Sequence, residues 1–128
     1  MAWLGMYWHL FLLTFVLLIL FDLPWLIGMS GHVKKMIQLI QGSTLEFNYL
    51  PGLVVYAALA YVLIKAHSPA EAFGYGVATY AVYDFTNLAT LKGYSPYFAV
   101  ADTLWGGVLM GAVKYVVNYL DREYEISS

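Results

Sequence analysis

Cysteine is absent from the 128 residues of this chain. Its absence excludes a disulfide framework and any metal site built on thiolates. Charge is also scarce, since Asp, Glu, Lys and Arg together make up 11% of the residues, against roughly 25% in a soluble domain. The formal net charge of -2 and the lack of a basic stripe give no reason to expect a nucleic-acid partner.

No lysine or arginine precedes Lys34. A secretory signal peptide begins with a positively charged region, and this chain has none there. The segment from Met1 to Phe21 is instead rich in Trp, Leu and Phe. We therefore expect it to be retained as a first membrane span.

Hydrophobic residues are abundant, at 62% of the chain. About 20 mainly apolar residues cross the ~30 Å hydrocarbon layer of a bilayer as a helix. The distribution of apolar segments predicts an all-α fold, a four-helix transmembrane bundle that forms a single integral membrane domain over residues 1–128. The predicted spans cover roughly residues 3–24, 49–66, 70–91 and 96–119.

Two serine-proline pairs predict where the last two spans begin. Ser68 is followed by Pro69 and, three positions after the serine, by Glu71. This is a capping box with proline at the first helical position. Ser95 and Pro96 repeat the cap and the proline. We expect a helix to start at each pair.

Residues 31–42, between the first two spans, have the pattern of an amphipathic helix. The apolar face consists of Val33, Met36, Ile37 and Ile40, and the polar residues outside it are His32, Lys34, Lys35, Gln38 and Gln41. This pattern predicts a short separate helix lying in the membrane interface. A helix outside the membrane, packed on its own loop, fits the pattern equally well.

The third predicted span is weakly hydrophobic, because Gly, Ala and Thr residues surround Asp84 and Asn87. Small residues allow neighbouring helix backbones to approach closely in a membrane. We therefore place this span in the middle of the bundle. Gly107 and Gly111 form a second small-residue face, on the fourth span, and we expect that face to pack within the bundle.

Three aspartates, Asp22, Asp84 and Asp102, lie inside or at the edge of the hydrophobic segments. A carboxylate at bilayer depth costs about 2.5–3.5 kcal/mol on insertion scales, so it usually faces the protein interior and marks function. Span direction alternates along the chain, so the end of the first span, the end of the third and the start of the fourth lie on one side of the membrane. We expect the three acids to converge in one leaflet.

Polar and aromatic residues at helical spacing accompany these acids. The predicted intramembrane polar cluster comprises Asp22, Trp25, Tyr80, Tyr83, Asp84, Thr86, Asn87, Lys92, Asp102, Thr103 and Trp105. Lys92 is the one basic residue near enough to pair with an acid, by folding its stem inward. The cluster has two interpretations: a structural lock that fixes helix register, or a site for a proton, a cation or a small amine.

Catalysis has little support in the sequence. His9, His32 and His67 lie far apart in the predicted topology, so no nucleophile-base pair is complete. We assign no catalytic residue, no cofactor and no metal site. An oxygen-ligand site for a hard cation is the least favoured use of the three acids.

The block from Tyr83 to Lys92, followed by Asp102, Trp105 and Gly106, resembles the signature of domain-of-unknown-function family 2177. Members of that family are small predicted four-span membrane proteins. Asp22 with Trp25 is similar to the Asp-x-x-Trp that ends the first span of the family, and Tyr56 is similar to a tyrosine of its second span. Family members have Lys-x-Trp where this chain has Lys92, Gly93 and Tyr94. The resemblance implies the fold and the same acids, but no activity.

Two functions fit these patterns. One is a membrane-embedded unit that binds or transports a proton, cation or small amine, and is a homo-oligomer because four short helices enclose little volume. The other is a structural or accessory component of a larger membrane assembly, either a multi-subunit complex or the membrane of a virus particle. The lipid bilayer is the expected surrounding in both cases.

Overall fold

The computed structural model describes residues 2–126, with side chains described from Trp8 onward. These residues fold into four helices: α1 (Ala2–Gln41), α2 (Tyr49–Lys65), α3 (Pro69–Thr90) and α4 (Pro96–Tyr124). The described residues contain no β-strand. The predicted all-α fold class is therefore confirmed.

Both predicted serine caps are present. The hydroxyl oxygen of Ser68 accepts a hydrogen bond from the backbone N–H of Glu71 at 3.1 Å, and the hydroxyl of Ser95 accepts one from Phe98 N–H at 3.1 Å. Each cap satisfies a backbone donor that lacks an intrahelical partner. Asn48 occupies the corresponding position before α2, but its side chain makes no capping hydrogen bond.

Helices α3 and α4 form an antiparallel hairpin and pack against each other extensively. The backbones come closest at glycines, where Gly76 of α3 faces the backbone of Gly106 and Gly107 of α4 faces Val77. Gly111 faces the start of α3, so the small-residue face predicted on the fourth span packs within the bundle. Helix α1 packs against α2 and α4, whereas α2 touches α3 and α4 only slightly. Helix α3 packs on α4 and only slightly on α2. The prediction that the third span lies in the middle of the bundle is therefore wrong, since α4 is the helix that contacts the other three.

The prediction of a separate amphipathic helix after the first span is wrong. Residues 31–41 belong to α1, which continues through Pro24 as one helix of 40 residues, a length of about 60 Å. A proline inside a helix removes one hydrogen bond and costs about 3 kcal/mol. Contacts made by the part of α1 that follows Pro24 offset this cost. Trp25 bonds to α4, and Met36 is buried against Tyr94 and Phe98.

The predicted apolar face of that segment is nevertheless found in part, and it packs against the protein. Met36 is buried, and Val33 and Ile40 pack partly against the same apolar cluster at the start of α4. Lys34 and Lys35 are exposed on the opposite face. The segment packs on α4 and on the turn before it, not on its own loop as in the alternative interpretation.

Two helical segments are long and apolar enough to cross a membrane, Trp8–Gln41 and Pro96–Tyr124, and Tyr49–Lys65 is a shorter apolar helix. Only 22% of the most apolar window of the first segment is buried. Large apolar side chains such as Leu12, Val16 and Leu20 are exposed along it. A core helix of a soluble protein buries such residues, so this surface is typical of contact with lipid.

Candidate functional site

Three buried carboxyl groups lie between the two apolar clusters of the bundle. Asp22 is 4% exposed, Asp84 is 0% exposed and Asp102 is 8% exposed. One apolar cluster contains Leu18 and Met110, and the other surrounds Met36 at the start of α4. A buried carboxyl group needs hydrogen-bond partners because it has lost its water. The partners of each acid therefore define the site.

Both carboxylate oxygens of Asp22 have donors. The hydroxyl of Tyr56 donates to Oδ2 at 2.5 Å, and Nε1–H of Trp105 donates to Oδ1 at 2.7 Å. The first bond ties α1 to α2 and the second ties α1 to α4. Asp22 therefore joins three helices through one side chain.

Asp102 completes a reciprocal arrangement between α1 and α4. Nε1–H of Trp25 donates to Asp102 Oδ1 at 3.0 Å, just as Trp105 donates to Asp22. The two indoles are stacked, with ring centroids 5.3 Å apart and 8° between planes. Both helices carry Asp-x-x-Trp. The two helices run antiparallel, so three residues toward the C-terminus of α1 correspond to three residues toward the N-terminus of α4. The Asp of each helix therefore lies opposite the Trp of the other.

Asp84 is held differently from the other two acids. The hydroxyl of Tyr94 donates to Oδ1 at 2.7 Å, while Oδ2 is buried and has no donor among the described residues. The carboxyl group of Asp102 lies near that of Asp84. Two carboxyl groups form a hydrogen bond only when one of them carries a proton. Asp84 and Asp102 are hereafter called the carboxyl pair.

Other residues of the predicted cluster fall into two groups. Tyr80 lies close to all three acids, Asn87 lies near Tyr94, and the Thr103 hydroxyl is buried with no partner in the described chain. The exposed predicted members are Tyr83, Thr86 and Lys92. The structure therefore brings eight of the eleven predicted residues inward and leaves three at the surface.

The expected inward fold of Lys92 is not found. Its side chain is exposed, and within the described chain it forms no ion pair. Tyr94 takes the place that the lysine was expected to fill, because its hydroxyl reaches Asp84 from the turn between α3 and α4. Gly93 has φ of +92°, a conformation that favours glycine and bends the chain back toward the helices. Among the described residues, no lysine, arginine or histidine forms an ion pair with Asp84 or Asp102.

Tyr94 and Tyr56 were absent from the predicted cluster. Only the family resemblance singled out Tyr56, and Tyr94 was interpreted as an interfacial aromatic residue. Periodicity could not identify Tyr94, since it lies outside the helices. The glycine that precedes it is the one local signal of a turn directed inward.

We predict that Tyr56→Phe will lower the free energy of unfolding by about 1–3 kcal/mol, because Asp22 Oδ2 loses its donor while buried. Tyr61→Phe, in the same helix, is the matched control. That tyrosine is 59% exposed, so its change should cost less than about 0.5 kcal/mol. Unfolding in detergent, followed by tryptophan fluorescence, compares the two. Equal stability of both variants would remove Tyr56 from the site.

Two surface grooves lie apart from the polar cluster. Two grooves are lined by Lys34, Lys35, Gln38, Leu39, Thr44 and Leu45, and by Pro69, Tyr115, Asn118, Asp121 and Arg122. Neither is lined by a residue of the carboxyl pair. No three His, Asp or Glu side chains in the described part of the chain are grouped to hold a metal ion.

Residues 7–119 match the family model described as "Predicted membrane protein (DUF2177)". The matched region contains every residue of the polar cluster. The comparison with curated proteins and the comparison with solved structures both found no match. The description of the family assigns no activity.

Proposed function

Because this chain belongs to the DUF2177 family of predicted membrane proteins, we propose that it is a four-span protein whose carboxyl pair binds and passes a proton within the membrane. The observation that supports this proposal is the burial of Asp84 near Asp102, with no ion pair to either acid from the described residues. Asp84 Oδ2 has no donor from the described chain, and a proton held between the two carboxyl groups would supply one.

The lengths of the helices and connections support four spans. Helices α1 and α4 are long and apolar enough to cross a bilayer, and α2 is apolar over 17 residues. Residues 66–68 join α2 to α3 and residues 91–95 join α3 to α4. Connections this short favour antiparallel neighbours. Helix α3 is less apolar, and its most polar groups, Asp84 and Asn87, lie toward the other helices.

A proton fits the site better than an amine or a hydrated cation. Both oxygens of Asp22 are already occupied by Tyr56 and Trp105, and one oxygen of Asp102 is occupied by Trp25. The two surface grooves lie elsewhere. Sharing a proton also removes one buried charge, which lowers the cost of holding two acids in an apolar surrounding.

Proton flux through reconstituted protein tests this proposal. Purified protein is placed in liposomes containing a pH-sensitive dye, and a pH gradient is imposed. The native protein should pass protons faster than protein-free liposomes, and Asp84→Asn should reduce the rate to that of empty liposomes. An amide is similar in size to a carboxyl group and still accepts the Tyr94 hydrogen bond, so the variant should remain folded.

Glu123→Gln is the matched control, because it also neutralises one acid. Glu123 is exposed near the end of α4, so its variant should keep the native rate. The proposal fails if the native protein passes no protons, or if folded Asp84→Asn keeps the native rate.

Four helices enclose little volume, so a complete pathway would require several copies of the chain. We propose a homo-oligomer in the native membrane. The mass of the protein after gentle extraction tests this, and a monomer would contradict it.

The alternative function is a structural component of a larger membrane assembly. The reciprocal Asp–Trp bonds favour it, since they saturate polar groups and fix the register of two helices. A stoichiometric complex with unrelated proteins in that same extraction would support this alternative, and the acids would then serve folding first.

A further inference from the structure

A groove of about 690 Å³ lies between the last turns of α1 and the loop that follows it. It is lined by Lys34, Lys35, Gln38, Leu39, Thr44 and Leu45. The groove is separate from the carboxyl pair and plays no part in the proton proposal. Its lining combines two positive charges and two polar groups with two large apolar side chains.

The polar wall of the groove suits a phosphate group. Lys34 and Lys35 are exposed, and neither forms an ion pair within the described chain. No acid lines the groove, although Glu46 is nearby in the loop sequence. The amide of Gln38 and the hydroxyl of Thr44 add hydrogen-bond donors beside the two ammonium groups.

The loop that forms the second wall is held in place by the end of α1. Gly42 turns the chain with φ of +75°. The side-chain amide of Gln41 donates to the carbonyl oxygens of Ser43 at 3.3 Å and Thr44 at 3.0 Å. These bonds fix Thr44 opposite the lysines of α1. The groove is therefore shaped by the backbone before any ligand arrives.

Large apolar side chains are also exposed at the groove and at the start of α2. Leu39 is 79% exposed and Leu50 is 71% exposed, and Phe47 lies between the loop and α2 with 62% of its surface exposed. A free anion makes no use of such surface. An acyl chain does, because it stabilises apolar side chains that water would otherwise surround.

The depth of the groove agrees with a headgroup position. Counted from Trp8, about 20 residues of α1 cross the hydrocarbon layer and reach Gly28. Lys34 and Lys35 lie about 10 Å further along the helix axis, close to the headgroup layer. Basic pockets at this level of membrane proteins bind anionic headgroups.

We propose that this groove binds an anionic phospholipid, with the phosphate between Lys34 and Lys35 and an acyl chain along Leu45 and Leu50. The inference requires the membrane that family membership implies, but it does not require the proton site. It gives the basic face of α1 a specific lipid partner.

Lipid competition measured by native mass spectrometry tests the proposal. Full-length protein in a neutral detergent is titrated with phosphatidylglycerol and, separately, with phosphatidylcholine. The native protein should retain phosphatidylglycerol more tightly. The double variant Lys34→Gln/Lys35→Gln should weaken phosphatidylglycerol binding about thirtyfold and leave phosphatidylcholine binding unchanged. Both lysines are exposed, so this variant should fold normally.

Lys65→Gln/Lys92→Gln is the matched control, with the same change in charge at exposed positions outside the groove. It should keep the native preference. An equal loss in the control would mean that net charge attracts the lipid, which would overturn the groove assignment. In a last experiment, inorganic phosphate is added at the same concentration as the lipid. Displacement of the lipid would identify free phosphate as the ligand and overturn the lipid proposal.

Discussion

Replacement of Gly76 by alanine should lower the free energy of unfolding by about 3 kcal/mol, at the upper end of overpacking effects. A Cβ atom on Gly76 would lie 2.7 Å from the carbonyl carbon of Gly106 and 2.9 Å from Cγ of Met110. The first neighbour is backbone and cannot rotate away. Helices α3 and α4 would have to separate, and their contact is the most extensive in the bundle.

Gly74→Ala is the matched control for this prediction. Gly74 lies in the same helix, but a Cβ there would meet nothing within 4 Å. Alanine is favoured over glycine in a helix interior by roughly 0.5–1 kcal/mol, so this variant should be as stable as the native protein or slightly more so. Unfolding of both variants by sodium dodecyl sulfate in mild detergent provides the comparison. Native stability in Gly76→Ala would mean that α3 and α4 do not meet at these glycines.

The second large effect is expected from the carboxyl pair. Asp84→Ala removes the acceptor of the Tyr94 hydroxyl and leaves Asp102 without its carboxyl neighbour. Asp102→Ala removes the acceptor of the Trp25 indole and leaves Asp84 without its carboxyl neighbour. Each change should cost about 3 kcal/mol, because removing one partner leaves a buried polar group unsatisfied.

The double variant Asp84→Ala/Asp102→Ala separates a shared proton from two independent sites. If the carboxyl groups share a proton, the cost of the double change should be smaller than the sum of the single costs by about 1 kcal/mol or more. Chemical unfolding monitored by tryptophan fluorescence gives the free energies of unfolding of the native protein, the two single variants and the double variant. Glu123→Ala, at an exposed acid, controls for the loss of a charge. Strict additivity would contradict the shared proton.

Much of this arrangement could be predicted from the sequence. The convergence of Asp22, Asp84 and Asp102 followed from the alternating direction of the helices, and the serine caps followed from local hydrogen-bond chemistry. The caps depend on residues a few positions apart, and the convergence depends on the order of the helices along the chain, so neither required knowledge of side-chain packing. The inward stripe of Tyr80, Asp84 and Asn87 followed from helical periodicity.

The remaining features depend on contacts between distant parts of the chain. Pro24 is a helix breaker by local rules, and α1 continues through it because Trp25 and Met36 are fixed by α4. Tyr94 reaches Asp84 because of one turn at Gly93, which no periodic pattern describes. Lys92 was expected to pair with an acid, but the phenol hydroxyl of Tyr94 reaches that acid without adding a buried charge.

The reciprocal Asp-x-x-Trp bonds have a mechanical consequence. Sliding α1 along α4 by even one residue would break both indole bonds together and unstack the two rings, so axial motion between these helices is strongly opposed. Helix α2 is attached to this pair by the Tyr56 bond to Asp22 and by its packing against α1. Helices α1 and α4 therefore act as a rigid frame that holds Asp22 and Asp102 in a fixed relation to each other.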